Sequence, residues 1–362
     1  TCTIEFNRGV IKTPVFMPVG TYGSVKTMAP YELVDMGAEI ILSNTYHLMI
    51  RPGEEIIQAH KGLHNFMAWD KPILTDSGGF QVMSLTDLRK LDDTGVEFRS
   101  HIDGARFLLT PERSVEIQDL LDSTITMVLD ECTPHGLGET EAAHSMHLSM
   151  RWADRCRSAF SERSGYGLFG IVQGSVFPNL RLESAAALTD IGFDGYALGG
   201  LAVGEGQTEM FSVLDVTVPA LPQDRPRYLM GVGTPDDIVG AVQRGIDMFD
   251  CVIPTREGRN GGLYTRCGRI NIYNARFTED GGPIDETCSC YACRTFSRSY
   301  IRHLYRAGEI LGPRMGTLHN IHFYVGLVAE IREAILDERF AAWTRLFLAT
   351  YRKEKEQKEC PK

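Results

Sequence analysis

The sequence predicts an α/β protein built as a (β/α)8 barrel. Three observations carry this: short apolar runs recur eight times along the 362 residues, several end in a polar residue or glycine, and helix-compatible stretches lie between them. Continuous apolarity is the mark of strands buried on both faces of a parallel sheet. Regular strand–helix alternation is how parallel α/β folds are written. A doubly wound open sheet satisfies the same alternation and stands second.

The strand runs, in order, are residues 15–19, 39–44, 72–76, 125–130, 168–173, 196–200, 227–231 and 248–252. Between them, 146–160, 178–191 and 236–244 have helical apolar spacing. Thr110-Pro111 and Thr234-Pro235 each place an N-cap residue before a proline at the first helical position. Thr234-x-x-Asp237 also has the form of a capping box. Two insertions interrupt the alternation. Asp103-Gly104 is a turn signal between residues 96–102 and 106–109, which predicts a hairpin. The glycine- and arginine-rich stretch 261–293 reads as a hairpin followed by a cysteine loop. The expected organisation is one barrel domain over 1–350, a subdomain at 261–320 inserted in it, and a charged tail at 351–362. The tail should fray, and 134–141 reads as a variable loop.

At 43% hydrophobic and 23% charged, the chain has ample material for a large core. No apolar run approaches the roughly twenty residues of a membrane span, and no signal peptide opens the sequence. Nine cysteines, an odd number, fit a reducing compartment better than a disulfide framework. A cytoplasmic location is therefore expected. The net charge of −10 argues against a nucleic-acid partner, but its distribution argues for one. Residues 244–314 hold eleven arginines and no lysine against eight carboxylates. Arginine without lysine suits planar recognition of phosphates and base edges. On charge alone a salt-bridged solvent face fits equally well.

Three of the cysteines cluster as Cys288-Ser-Cys290-Tyr-Ala-Cys293. Soft thiolates at this spacing plus one imidazole can close a tetrahedral shell around Zn²⁺. A closed shell leaves no open position for water, so this knot reads as structural. By spacing, His319 and His322 both qualify as fourth ligand, one helical turn apart.

Chemistry in a barrel belongs at the carboxyl ends of the strands. Those ends supply Asp76, Asp130, Gln173, Gly199-Gly200 and Asp250. Such an acid cluster can bind Mg²⁺, act as paired acid and nucleophile, or read a hydrogen-bonding heterocycle. In Asp76-Ser77-Gly78-Gly79-Phe80-Gln81 the glycines would let a flat ligand approach the backbone, and Phe80 offers a stacking face. A tight turn with a core phenylalanine explains that segment as well.

Together these residues resemble the tRNA-guanine transglycosylases of bacterial type. The resemblance rests on Asp76-Ser-Gly-Gly-Phe-Gln-Val-Met-Ser-Leu85, Ser43-Asn-Thr-Tyr-His-Leu48 and Phe169-Gly-Ile-Val-Gln-Gly-Ser175. It rests also on Gly199-Gly-Leu-Ala-Val-Gly-Glu205, Phe249-Asp-Cys-Val-Ile-Pro-Thr-Arg256 and the cysteine knot, all in the family's order. It implies a (β/α)8 barrel with a zinc subdomain inserted near its C-terminal end. It also implies exchange of the wobble guanine in a tRNA anticodon loop for a 7-deazaguanine.

Carried over residue by residue, Asp250 matches the nucleophile and Asp76 the general acid/base. Ser77, Gly78 and Gly79, with Asp130, Gln173, Gly200 and Leu201, match the base-binding set, while Phe80 and Met230 match the residues that sandwich the base. Gly231, Thr234, Asp237, Thr255, Arg256 and Arg259 match positions that meet the RNA. Cys288, Cys290, Cys293 and His319 match the ligands of one structural Zn²⁺.

Val203 and Cys132 are bacterial in style, and a valine would crowd the cyclopentenediol of queuine. The implied incoming base is 7-aminomethyl-7-deazaguanine (preQ1). Phe80 stands where some relatives have tyrosine. A homodimer is implied too, with Tyr300, His303 and Leu304 as interface candidates. A zinc hydrolase or deaminase is disfavoured because no His-x-Glu signature accompanies the cysteines. A non-catalytic tRNA-binding subunit is disfavoured because both Asp76 and Asp250 are present.

Overall fold

The computed structural model describes residues 1–85 and 89–351. The expected charged tail beyond Tyr351 lies outside the described residues. Eight parallel strands form one sheet: β1 (Val15–Pro18), β2 (Ile41–Asn44), β3 (Ile73–Asp76), β4 (Ile125–Met127), β5 (Gly167–Val172), β6 (Gly195–Leu198), β7 (Arg227–Leu229) and β8 (Met248–Cys251). Each strand pairs with its neighbour in the chain, and β8 pairs back onto β1, with Asp250 opposite Met17. A parallel bridge from Val19 to Leu42 joins β1 to β2 and closes the ring. This is the (β/α)8 barrel and not the open sheet, because an open sheet would leave two unpaired edges.

The strands stand where continuous apolarity put them, and β1, β2, β5 and β6 are buried at every residue. Phe16, Met17, Leu74, Met127, Phe169, Leu198, Leu229 and Phe249 belong to one core. Burying each such side chain stabilises the fold by roughly 1.5–3 kcal/mol. Both predicted proline-led helices form. Thr110 Oγ1 accepts from the Arg113 N–H at 3.1 Å, and Thr234 Oγ1 accepts from the Asp237 N–H at 3.3 Å. The capping box is not completed. The Thr234 hydroxyl donates to the Asp237 carboxylate, so that side chain meets a side chain and not the cap's backbone N–H.

Other boundaries move. Only Ile125–Met127 of the run 125–130 pairs as strand, and the following residues turn into the barrel mouth. The helix expected over 146–160 is Glu139–Ala159, so part of the expected loop is helical. The hairpin at Asp103-Gly104 forms between Gly95–Arg99 and Arg106–Leu109, and it acquires a third strand, Arg89–Asp92. The second insertion begins with the hairpin Gly262–Thr265 and Gly268–Asn271. It ends at the 26-residue helix Leu311–Leu336, which packs against Ile253–Arg259, the helix after β8.

Among the described residues seven cysteines carry free thiols, while Cys267 is disulfide-bonded. One bridged cysteine departs from the all-thiol expectation without making a framework. Among the described residues no helix is long and apolar enough to cross a membrane.

Candidate active site at the barrel mouth

The carboxyl ends of β2, β3, β6, β7 and β8, with the loop after β4, enclose a cavity of about 640 Å³. Of the residues expected there, Asp76, Ser77, Gly78, Phe80, Asp130, Gly200, Leu201, Met230, Gly231, Thr234, Asp237, Asp250 and Arg256 line it. Phe80 is 50% exposed at this wall, which excludes the core-phenylalanine reading and leaves its face free to stack. Val203 lines the cavity too.

Four expected residues stand behind the lining. Gln173 is wholly buried and its Nε2 donates to Asp130 Oδ2 at 2.7 Å. Gly79 serves the protein's own packing: a Cβ there would meet the Asp130 carbonyl oxygen at 2.5 Å. Gly78 has φ +83° and abuts Tyr46. These glycines therefore admit neighbouring protein, and not only a ligand as expected. Thr255 is buried and its hydroxyl donates to the Val252 carbonyl at 3.2 Å. Arg259 has a buried Nη1 without a partner among the described residues.

The two outer carboxylates are held by different groups. Asp76 ends β3 directly opposite Asn44, the last residue of β2. Its Oδ1 accepts from the Thr45 N–H at 3.0 Å, and its Oδ2 accepts from Asn44 Nδ2. Asn44 is itself oriented by His47, whose Nδ1 lies 2.6 Å from Asn44 Oδ1. Burial lowers the His47 imidazole to about 4, so the ring is neutral near pH 7 and its N–H is free to donate there. Asp250 Oδ1 accepts from the Tyr228 hydroxyl at 2.6 Å and from the Gly231 N–H at 2.8 Å.

Electrostatics separate the three acids. Burial raises the Asp76 carboxyl to about 7, with the Asp250 charge adding to the rise and the Thr45 N–H opposing it. Burial also raises Asp250, opposed by the Tyr228 hydroxyl and the Gly231 N–H. Burial raises Asp130 to about 6 against its hydrogen bonds from Gln173 and Ser77. The charge of Asp250 raises Asp76, so an ionised Asp250 favours a proton on Asp76. Paired carboxyls driven apart in this way are suited to acid and nucleophile roles.

Asn44, Thr45, His47 and Tyr228 are not among the site residues that the sequence predicts. The Asn44–Asp76 register gives the motif Ser43–Leu48 its function, which is to hold the Asp76 carboxylate. Tyr228 read as a core strand residue, with no local signal for its contact.

Gly199 and Gly200 let the Gln173 amide lie against their backbone. A Cβ on Gly199 would meet Nε2 at 2.6 Å, and one on Gly200 would meet Oε1 at 2.6 Å.

The cysteine cluster assembles with His319. Its Nδ1 lies 3.6 Å from Cys288 Sγ, 3.6 Å from Cys290 Sγ and 3.3 Å from Cys293 Sγ. All four donor atoms fall within 4.8 Å of one another, so the group can hold a metal ion. His322 approaches only Cys288, at 3.6 Å. The other ring nitrogen of His319 lies 2.6 Å from the Tyr264 carbonyl oxygen, a partner of the kind that fixes a ligating imidazole's tautomer.

The arginine-rich stretch divides between its two readings. Arg244, Arg266, Arg269, Arg298 and Arg314 form ion pairs. Arg256 instead lines the cavity. The expected interface face needs one correction. Tyr300 is exposed and stacks with His303, but Leu304 is only 5% exposed. On the helix Arg298–Ala307, Leu304 shares the buried face of Ile301 and Tyr305.

A profile of the family described as Queuine tRNA-ribosyltransferase matches residues 1–353. A queuine tRNA-ribosyltransferase of Zymomonas mobilis is 61% identical over 355 residues, covering 97% of this chain and 92% of that protein. One of Thioalkalivibrio sulfidiphilus is 59% identical over 344 residues, 95% and 92% of the two chains. One of Azoarcus sp. is 58% identical over 341 residues, 94% and 92%.

Proposed function

The chain belongs to the queuine tRNA-ribosyltransferase family, and from that premise we propose that it exchanges the wobble guanine of a tRNA anticodon for preQ1 by a retaining double displacement. The observation that carries this is the pair of half-buried carboxylates, Asp76 and Asp250, on the wall of one cavity, where the charge of Asp250 helps Asp76 hold its proton. Exchange at an anomeric carbon with retention needs two displacements. In the first, ionised Asp250 attacks C1′ of the ribose while Asp76 donates its proton to the departing guanine. The ribose is then esterified to Asp250 with the phosphate backbone intact. In the second, the Asp76 carboxylate takes a proton from preQ1, whose ring nitrogen attacks C1′ and frees Asp250.

The surrounding groups suit this chemistry. Asp130 can accept from the N1–H and amino group of a guanine-like edge. Phe80 and Met230 stand on the cavity wall as stacking faces. The target nucleotide must leave the anticodon stack to enter, and Arg256 and Arg259 suit the flanking phosphates. Val203 on the wall favours an aminomethyl group over a bulky cyclopentenediol.

The Cys288, Cys290, Cys293 and His319 group fits Zn²⁺, which would tie the insertion to the helix Leu311–Leu336 and supply no step of the reaction. A homodimer through the aromatic face of Phe296, Tyr300 and His303, and a cytoplasmic location, complete the proposal.

Mass spectrometry of an anticodon stem-loop incubated with the protein and preQ1 tests the exchange. Loss of guanine with gain of preQ1 is expected, and an unchanged RNA refutes it. A denaturation-resistant protein–RNA adduct should form with wild type and not with Asp250→Ala. Side-by-side incorporation of preQ1 and queuine tests the choice of base, and a preference for queuine overturns it.

A further inference from the structure

Arg181 lies in the helix Pro178–Ile191 that follows β5, and it is 0% exposed. Its hydrogen bonds run to backbone carbonyls. Nε donates to Ser175 at 2.7 Å, and Nη1 donates to Val172 at 2.9 Å and to Gly199 at 2.8 Å. Nη2 is buried without a hydrogen-bond partner among the described residues. Burying a cation without a hydrogen-bonded carboxylate is costly, and burial here lowers the guanidinium to about 10. An aliphatic side chain would fill the position with no such cost.

The three carbonyls bracket the wall of the cavity where a base edge would be read. Val172 precedes Gln173 in the chain. Ser175, two residues after Gln173, has φ +50°, a left-handed backbone that a non-glycine residue adopts at a cost. The Gly199 carbonyl belongs to the same peptide unit as the Gly200 N–H. In a trans peptide these two groups point in opposite directions. A cation bonded to the carbonyl polarises the unit and makes the N–H on the far side a stronger donor. That N–H reaches the Cys132 sulfur, which lines the cavity. The Gln173 Oε1 is a second buried orphan against the same glycine.

We propose that Arg181 is a positioning residue for base recognition: its buried guanidinium polarises the Gly199–Gly200 peptide, so that the Gly200 N–H selects a purine presenting a carbonyl oxygen at that edge. This rests on the base-exchange reading above.

The test compares guanine with 6-thioguanine, which keeps the N1–H and amino group but offers sulfur, a weaker acceptor, in place of oxygen. In exchange assays on an anticodon stem-loop, Arg181→Met should raise KM for guanine about tenfold or more and leave kcat within about threefold. The preference for guanine over 6-thioguanine should shrink, and RNA affinity should stay unchanged. Arg181→Lys, which keeps the charge but not the planar fork, should fall between wild type and Arg181→Met. Calorimetric binding of both purines reads the same ratio without turnover. A wild type that binds guanine but exchanges none would sink the exchange reading alone. Equal loss for both purines, or failure of both variants to fold, would overturn the role of Arg181, leaving it a core structural residue.

Discussion

Replacing Tyr228 with phenylalanine removes one oxygen and should change how Asp250 ionises. Its carboxylate accepts one O–H at 2.6 Å and one N–H at 2.8 Å on the same oxygen. Both donors stabilise the ionised form against burial, which otherwise raises the carboxyl. A hydrogen bond to a charged group contributes roughly 1.5–3 kcal/mol, which corresponds to a factor of about 10–150 in an equilibrium. Without the hydroxyl, protonated Asp250 is favoured further, so the acid limb of kcat/KM must move to higher pH. The alkaline limb, set by a protonated Asp76 near 7, should stay. The window in which Asp250 is ionised and Asp76 still carries its proton therefore narrows from its acid side, and the peak rate should fall about tenfold or more. The assay is a pH profile of stem-loop base exchange for wild type and Tyr228→Phe, with thermal unfolding to confirm an intact fold. An acid limb that does not move, with a peak within about twofold of wild type, would refute the assignment of Asp250 as the group that must ionise.

Other consequences follow from the same groups. Asp76 is raised from 3.8 to about 7 in the fold, so the native state holds a proton that the unfolded chain releases between those values, and stability falls as pH rises through that window. Asp76→Asn removes this dependence. The variant should gain about 1–2 kcal/mol relative to wild type between pH 4 and pH 8, below the full shift because the carboxylate reaches cavity solvent. Denaturant titrations at the two pH values check this, and a parallel pH dependence in both proteins would count against it. Stripping metal with a chelator should release the insertion from His319 and lower Tm, at roughly 1–2 °C for each kcal/mol lost in a chain of this size. Calorimetry alongside metal analysis decides, and an unchanged Tm in verified metal-free protein contradicts a structural ion. Val203→Gly should raise queuine incorporation at least about tenfold while preQ1 turnover persists. If competition assays show both bases responding alike, valine is not the discriminating side chain.

Much of the barrel was legible because strands buried on both faces cannot alternate, and their unbroken apolar runs stand out in the sequence. The cysteine knot was legible because its three thiols lie within six residues. Tyr228 was not, since it sits inside an apolar strand run and meets Asp250 only through the pairing of β7 with β8. Arg181 was equally hidden. Within a helix it reads as a surface cation, and only packing shows it buried against three carbonyls. Leu304 shows the reverse limit: its helical spacing with Tyr300 suggested one face, and the fold turned it inward.

The sequence by itself determined the strand–helix alternation, the kinds of reactive group at the strand ends and the sulfur donors of the knot, because these follow from residue type and short spacing. Only the tertiary structure decided which of His319 and His322 meets all three sulfurs, which side chains hold Asp76 and Asp250, and how far each acid is driven from its ordinary ionisation. Those properties depend on desolvation and on distances between groups far apart in the chain, and neither exists until the barrel has closed.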